Sequence, residues 1–277
     1  MVQNIQIAVI GLGNIGRNLL EVLLHRRKPI AKQYGLCLSV VAAADSSGAA
    51  LDPAGLDLER LVEIKRSRQG AASYPGAGRP GVSALEMIRS TEYDVLVDAS
   101  PTNMVDGEPG LGSVRHALGT GHHVVMADKG PLVLAFAELV RTAEQAGSRL
   151  LYSGTVAGGL PTVNIGVRDL AGSAVTRVEG IFNGTTNYIL SRMDSEQIEY
   201  TEALAGAQAA GIAEPDPTLD VDGWDAANKL VIIANSVLRR PTQLADLQVE
   251  GIRNVTLQDL REAREAGKVI KPLALAE

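Results

Sequence analysis

Cysteine is nearly missing from this chain: Cys37 stands alone among 277 residues. It lies in an apolar run with no partner for an internal disulfide, which fits a reducing cytoplasm. The histidines, His25, His116, His122 and His123, have no metal-ligand spacing with it, so a zinc centre is not expected. No apolar run approaches the ~20 residues that span a bilayer, and no basic segment with an apolar core opens the chain, so neither a membrane helix nor a signal peptide is expected. Positive charge is in deficit. Lys and Arg number 26 against 32 Asp and Glu, a net charge of −6, which argues against nucleic acid or an anionic membrane as partner. Internal repeats and low-complexity tracts are absent as well. What is present is an ordinary globular balance, 45% hydrophobic and 21% charged, in a chain long enough for two domains.

The first half reads as alternating strands and helices. Residues 5–10, Ile-Gln-Ile-Ala-Val-Ile, have the character of a buried strand, and Gly11-Leu-Gly-Asn-Ile-Gly16 follows at once. Leu19, Leu20, Leu23 and Leu24 then mark a helix. Between a first strand and a first helix each glycine has its own role. Gly11 makes the tight turn, Gly13 lets the backbone approach a pyrophosphate, and Gly16 lets the helix pack on the sheet. The helix N-terminus, at Asn14 and Ile15, supplies N–H donors to the phosphates. A second strand, 36–44, ends in Asp45, where a carboxylate commonly takes the ribose hydroxyls of NAD. Asp45–Gly48 also reads as a simple turn, with 26–34 lengthening the connection before the strand. Lys65, Arg66 and Arg68, placed on one later helix, either reach a 2′-phosphate or form a solvated face, so NAD and NADP both stay open. A Gly/Pro-rich loop is expected over 70–81, a strand over 94–98, and then a polar turn containing Ser100. Residues 106–110 continue that loop and a helix begins near Val114. A strand over 122–126 delivers Lys129 to its carboxyl end, where doubly wound sheets bind ligands. As a simple loop residue Lys129 would only be solvated. A helix over 136–146, a strand over 149–153 and a second glycine-rich loop, 154–161, close this half, with Pro161 placed to open a helix. The domains are accordingly drawn at 1–153, for dinucleotide binding, and 154–277.

The second half is organised around Gly211-Ile-Ala-Glu-Pro-Asp-Pro-Thr-Leu-Asp-Val-Asp-Gly-Trp-Asp-Ala-Ala-Asn-Lys229. Glu214, Asp216, Asp220, Asp222 and Asp225 precede one lysine. Pro215 and Pro217 stiffen the first part and deny it helix geometry. From Trp224 to Ala234 an apolar helix is expected, with Asp222 as its N-cap and Asp225 completing a capping box. Asp225 and Lys229, four apart, share one helix face. A solvated acidic turn with a surface ion pair is the plain alternative. Burial of the helix favours a site for a small substrate carrying an ammonium and a reactive oxygen. Around this stretch, a strand over 175–182 leads into Asn183-Gly-Thr-Thr-Asn187, a turn with a helix cap. A helix over 201–210 ends at Gly211, a helix over 256–266 is capped by Thr256 and stopped by Gly267, and 268–276 begins a strand.

Five motifs together resemble the homoserine dehydrogenase family: Gly-Leu-Gly-Asn-Ile-Gly (11–16), Ala-Asp-Lys-Gly-Pro (127–131), Gly-Thr-Val-Ala-Gly-Gly-Leu-Pro (154–161), Gly-Ile-Phe-Asn-Gly-Thr-Thr-Asn-Tyr-Ile-Leu (180–190) and the acidic stretch. The resemblance runs from residue 4 to the C-terminus. It implies an α/β protein: a Rossmann-type dinucleotide-binding domain with an α/β catalytic and dimerisation domain. It implies a homodimer and NAD(P)-dependent interconversion of L-homoserine and L-aspartate 4-semialdehyde, on the route to threonine and methionine. By the same resemblance Lys229 is the acid/base with Asp225 orienting it, and Lys129 is a second active-site lysine. Glu214, Asp220 and Asp225 face the substrate, and Ser100 and Gly211 lie near the cofactor. The family also binds a sodium ion through backbone carbonyls, at positions held here by Val156, Gly158 and Leu160; Ser153 stands where some members carry glutamate. Members usually continue past a segment like 267–273 with further strands and a Gly-rich turn, so the second domain is expected to lack that segment. Two other readings compete: a nucleotide-binding homologue or fragment without turnover, and a dehydrogenase of another amino-acid aldehyde.

Overall fold

The computed structural model of the chain describes residues 2–277. It divides into two compact units, one ending at Pro161 and the other spanning Thr162–Glu277.

In the first unit, strands β1 (Gln3–Ile10), β2 (Leu36–Asp45), β3 (Gly48–Leu51), β4 (Gly78–Pro80), β5 (Val95–Asp98), β6 (His123–Met126) and β7 (Leu150–Leu151) form one sheet in the order β4-β3-β2-β1-β5-β6-β7. The pairs β1–β2, β1–β5, β5–β6 and β6–β7 are parallel, while β2–β3 and β3–β4 are antiparallel. The helices are α1 (Asn14–Tyr34), α2 (Leu58–Arg66), α3 (Ala84–Arg89), α4 (Gly110–Gly119), α5 (Gly130–Ala146) and the short α6 (Gly154–Ala157). Residues 7–10 of β1 are all buried, as a central parallel strand covered on both faces requires. The chain leaves β1 toward β2 on one side and reaches β5 on the other. The order therefore reverses between β1 and β5, where a doubly wound sheet opens its ligand crevice. This is a Rossmann-type architecture. Its core carries Ile7, Val9, Leu20, Val40 and Leu61.

Local chemistry explains where elements depart from the sequence-based expectation. Residues 26–34, expected to lengthen the connection between β1 and β2, do so as the last turns of α1. Pro29 lies inside that helix at an exposed position. Gly35, at φ 66, ends α1 by donating its N–H to the carbonyl of Ala31. The 70–81 segment is not all loop: a 3₁₀ turn, Ala71–Ser73, precedes β4, which pairs with β3. Arg68 lies beyond the end of α2 at φ 57, off the helix face that carries Lys65 and Arg66. α4 begins at Gly110, not near Val114, and α5 at Gly130, not Phe136. α5 is bent at Ala135 (φ −143, ψ 30), one residue before the expected start. β7 holds two residues where five were expected. The loop 154–161 falls with the first unit and turns through α6, where the Thr155 N–H and hydroxyl both donate to the carbonyl of Tyr152.

The second unit starts with α7 (Thr162–Asn164), directly after Pro161, and a π-helical turn, Ile165–Asp169. It continues with β8 (Val178–Ile181), α8 (Gly184–Glu196), α9 (Tyr200–Ala209), α10 (Thr218–Val221), α11 (Trp224–Ser236), α12 (Leu257–Glu265) and β9 (Leu273–Ala276). β9 pairs antiparallel with β8, Ile181 opposite Leu273 and Val178 opposite Ala276. Ile189, Met193, Ala203, Ala207 and Val221 join α8, α9 and α10 in one core, with Leu260 from α12. Thr256 caps α12 in a full capping box with Asp259.

Three expectations about the acidic stretch are corrected here. Pro217 does not keep the segment non-helical; it precedes α10, whose first N–H, at Thr218, donates to Asp216 Oδ1 at 3.1 Å. Asp222 is not the N-cap of α11. That place is Gly223, whose φ of 86 turns the chain sharply from α10 into α11. Asp222 instead ends α10, and its carboxylate is paired with Arg253. A carboxylate engaged by a guanidinium is not available to the helix N–H groups, and the αL glycine makes the turn without it. Trp224, at 41% exposure, does not join the buried face, while Leu230–Ala234 do.

Candidate active site

The residues predicted for cofactor and substrate fall into two constellations, one in each unit.

In the first unit the glycine motif is built as the sequence implied. Gly11 sits at φ 83, and a Cβ there would fall 2.2 Å from the carbonyl oxygen of Ala99 and 2.5 Å from the N of Ser100. A Cβ on Gly16 would fall 1.9 Å from the Gly11 carbonyl oxygen. These two glycines are therefore demanded by the protein itself, packing the β1 turn against the end of β5 and α1 against that turn. Gly13 differs: nothing lies within 4 Å of its Cβ position. Its open side, at the head of the 21-residue α1, leaves the first-turn N–H groups of Asn14, Ile15 and Gly16 without a side-chain cap. That is a cradle with the donor chemistry of a pyrophosphate site, and a dinucleotide fits it.

Asp45 is placed at the end of β2 as predicted, but it also closes a hairpin, paired with Gly48 of β3. The turn reading was therefore right about its local role. Its carboxylate accepts from Lys65 Nζ at 2.5 Å, from the Ser47 hydroxyl at 2.6 Å and N–H at 2.9 Å, and from the Ala71 N–H at 3.0 Å. Burial pushes the Asp45 carboxyl up, but Lys65, Ser47 and the Ala71 N–H outweigh it and hold it below the usual carboxylate range. Lys65, expected either to reach a phosphate or to be solvated, is instead Asp45's partner, and Arg66 is paired with Glu21.

Ser100 is buried just past β5, its hydroxyl donating to Asp98 Oδ1 at 2.6 Å. Lys129 is half-buried at the carboxyl end of β6, at the N-cap of α5. At Val156, Gly158 and Leu160 the chain leaves α6 through Gly158 at φ 57, ψ −113, a conformation that breaks the helical alignment of the carbonyls. Neutral carbonyl oxygens on irregular backbone suit a hard monovalent cation. Among the described residues no group of three or more His, Cys, Asp or Glu forms a metal cluster.

In the second unit the predicted pair is formed. Lys229 Nζ donates to Asp225 Oδ2 at 2.6 Å and to the carbonyl of Phe182 at 2.8 Å. The side chains of Lys229 and Asp225 are 18% and 12% exposed, so the pair is neither solvated nor sealed. An ammonium has three N–H donors, and two are directed by these partners, which aims the third. Asn183 completes the cluster. Its Nδ2 donates to Asp220 Oδ1 at 2.6 Å and to Asp225 Oδ2 at 2.9 Å, and its Oδ1 accepts the Thr186 N–H that caps α8. The sequence marks Asn183 only as a cap. Its second role crosses 42 residues to Asp225, and the only sequence signal is the polar run that follows it. The Phe182 contribution is a backbone carbonyl and has no side-chain signature. Glu214 is exposed on the same acidic stretch, and Gln208 Nε2 donates to its backbone carbonyl at 3.2 Å. The hydrogen bonds of the Lys229 cluster do not include it. Gly211, at φ 70, ends the segment that follows α9.

A cleft of about 880 Å³ in this unit shares Asp220 and Thr186 with the cluster, but not Lys229, Asp225 or Asn183. Its walls include Leu190, Leu230, Ile252 and Leu273. Converging charged donors and acceptors, not volume, mark the reactive place, so the cluster is the candidate site.

Comparison with known proteins follows the same division. The family model described as homoserine dehydrogenase matches residues 161–276, and that described as glutamate/leucine/phenylalanine/valine dehydrogenase matches residues 1–111. A homoserine dehydrogenase of Methanocaldococcus jannaschii is 38% identical over 96% of this chain and 78% of its own length. An NAD(+)-dependent homoserine dehydrogenase of Pseudomonas canavaninivorans is 36% identical over 94% of this chain and 73% of its own. A crystal structure assigned to homoserine dehydrogenase from Archaeoglobus fulgidus is 40% identical, with a TM-score of 0.88, over 99% of this chain and 80% of that one. A hyperthermophilic archaeal homoserine dehydrogenase, 25% identical, has been solved with NADPH.

Proposed function

This chain belongs to the homoserine dehydrogenase family, and we propose that it interconverts L-homoserine and L-aspartate 4-semialdehyde with a nicotinamide dinucleotide. One observation supports this above the rest: Lys229 is clamped by Asp225 and the Phe182 carbonyl with one N–H left to direct. Oxidation of an alcohol at carbon needs a group that holds and moves the hydroxyl proton. A lysine does both, stabilising developing negative charge on oxygen and exchanging the proton. The bound nicotinamide supplies or accepts the hydride. In the reductive direction Lys229 donates its aimed proton to the new alkoxide, and in the oxidative direction it takes that proton back. Asp225 keeps the ammonium in place, and Asn183 keeps Asp225 in place. Lys129 is the second lysine of the reaction. Glu214 and Asp220 meet the substrate's ammonium through charge-assisted hydrogen bonds. Gly11, Gly13 and Gly16, with Ser100 and Gly211, serve the dinucleotide. The carbonyls of Val156, Gly158 and Leu160 would hold a sodium ion.

The cofactor form follows from charge. Asp45 would repel a 2′-phosphate, but Lys65 neutralises it at 2.5 Å, so both NAD and NADP are used, with a slight preference for NAD. Two copies of the chain assemble, since β8 and β9 expose Ile181, Leu273 and Leu275 along one sheet face. Among the described residues no helix is long and apolar enough to cross a membrane, and the enzyme works in the cytoplasm. The test is homoserine oxidation with NAD and NADP side by side, with other hydroxy amino acids as competitors. Dinucleotide binding without homoserine-dependent reduction would overturn the reading, as would faster turnover of another substrate.

A further inference from the structure

Two carboxylates in the first unit have no part in the mechanism above. Asp98 ends β5 and is fully buried; Asp128 follows β6 and is 2% exposed. Each uses one oxygen on its own loop. Asp98 Oδ1 accepts from the Ser100 N–H at 3.1 Å and hydroxyl at 2.6 Å, and Asp128 Oδ1 accepts from the Gly130 N–H at 3.0 Å. The second oxygen of each is buried without a hydrogen-bond partner. Both orphans face one point, for a Cβ built on Gly110 would lie 2.7 Å from Asp98 Oδ2, 3.1 Å from Asp128 Oδ2 and 3.1 Å from the Pro131 ring.

Two ionised carboxylates facing each other in a dry place would leave two strong acceptors unsatisfied and repelling. A single proton held between the two removes the repulsion, because only one of them then carries charge. We propose that Asp98 and Asp128 share one proton, and that this pair positions the Ser100 loop and the Lys129 loop together for dinucleotide binding. The positioning role rests on the reading of this unit as a dinucleotide domain; the shared proton does not. Burial pushes the Asp98 carboxyl up to about 6, with the Ser100 hydroxyl opposing and repulsion from Asp128 adding. Burial raises Asp128 too, opposed by the Gly130 N–H, Thr102 and the charge of Lys129. The other charged groups nearby are turned elsewhere. Glu108 accepts from the Gly112 N–H in the first turn of α4, and Asp106 accepts from Asn103 and the Glu108 N–H. When the shared proton leaves for solvent, two anions remain and the loops are pushed apart.

The experiment has two arms on the full chain. Infrared spectroscopy of the wild type should show a protonated-carboxyl stretching band near pH 6 that fades as the pH rises and is missing in Asp128→Asn. Binding of NAD and NADP is titrated in parallel by protein fluorescence. The wild-type dissociation constant should rise about tenfold from about pH 6 to pH 9, while Asp128→Asn, whose amide neither titrates nor repels Asp98, should bind with a flat profile. Absence of the band in the wild type overturns the proposal, whatever the binding results and whether or not the variant folds. A band with pH-independent affinity overturns the positioning role. A band in a chain that binds neither dinucleotide sinks the functional reading and with it that role, and leaves the shared proton standing.

Discussion

Lys229 is held by two partners at 2.6 and 2.8 Å, so its removal strands the Asp225 carboxylate as well as the acid/base, and the kinetics are read beside a melting curve of the same variant. Lys229→Ala is expected to lower kcat by about 100-fold or more, with dinucleotide affinity nearly unchanged, as for a positioned acid/base. Half of the wild-type kcat in that variant would make Lys229 structural. Asn183 predicts differently, because it serves a helix cap and two carboxylates at once. Asn183→Ala should cost about 1–3 kcal/mol of stability in thermal or denaturant unfolding, together with activity. Asn183→Asp, which keeps the cap but adds a third carboxylate beside Asp220 and Asp225, should hurt activity more than stability. At Asp45 the ion pair with Lys65 decides the cofactor. Asp45→Asn leaves Lys65 without its counter-charge, so the ratio of kcat/KM for NADP over NAD is expected to rise by about tenfold, ~1.4 kcal/mol. An unchanged ratio would show that Lys65 does not see the 2′-phosphate.

At the scale of elements, the β1–α1 turn allows no side chain at two of its three glycines. Gly16→Ala would drive a methyl to 1.9 Å from the Gly11 carbonyl, so the helix must move off the sheet; loss of dinucleotide binding and a lower melting temperature should come together. Gly13→Ala meets open space in the protein and should leave the melting temperature alone while weakening the dinucleotide. The opposite ranking would put the ligand elsewhere. The motif is legible in sequence because strand, turn and helix are consecutive. The α10–α11 turn is misread from sequence because Asp222 is a good cap by residue type. Its partner Arg253 lies 31 residues on, and a local rule cannot see it.

The whole molecule balances carboxylates that titrate in opposite senses. Asp45 has a lowered folded pKa, so its stabilisation is complete above the unfolded value and lost as pH falls through the folded one. Asp98 is raised to about 6, so the folded state holds its proton longer than the unfolded chain and stability falls as pH climbs from about 4 toward 6. The melting temperature should drop on the acid side, below about pH 4, more steeply in the wild type than in Asp45→Asn. Replacing Asp98 by Asn should remove the decline between about pH 4 and 6, and calorimetry across that range checks both.

What the sequence by itself determined is what consecutive residues encode. Burial of 7–10 and the glycines that follow specify a central strand and a phosphate turn. The nearly all-round apolar character of 226–234 specifies a buried helix, and spacing by four specifies the Asp225–Lys229 pair. The family motifs named the reaction class for the same reason, since each is a short continuous run. Tertiary structure decided what depends on partners far along the chain. It gave Asp45 to Lys65 and Asp222 to Arg253, made Asn183 the bridge between Asp220 and Asp225, and brought Asp98 and Asp128 to one point beside Gly110. A carboxylate's role is set by which donors reach it and how much water is left around it. Both are properties of packing, and no pattern of neighbours in sequence contains them.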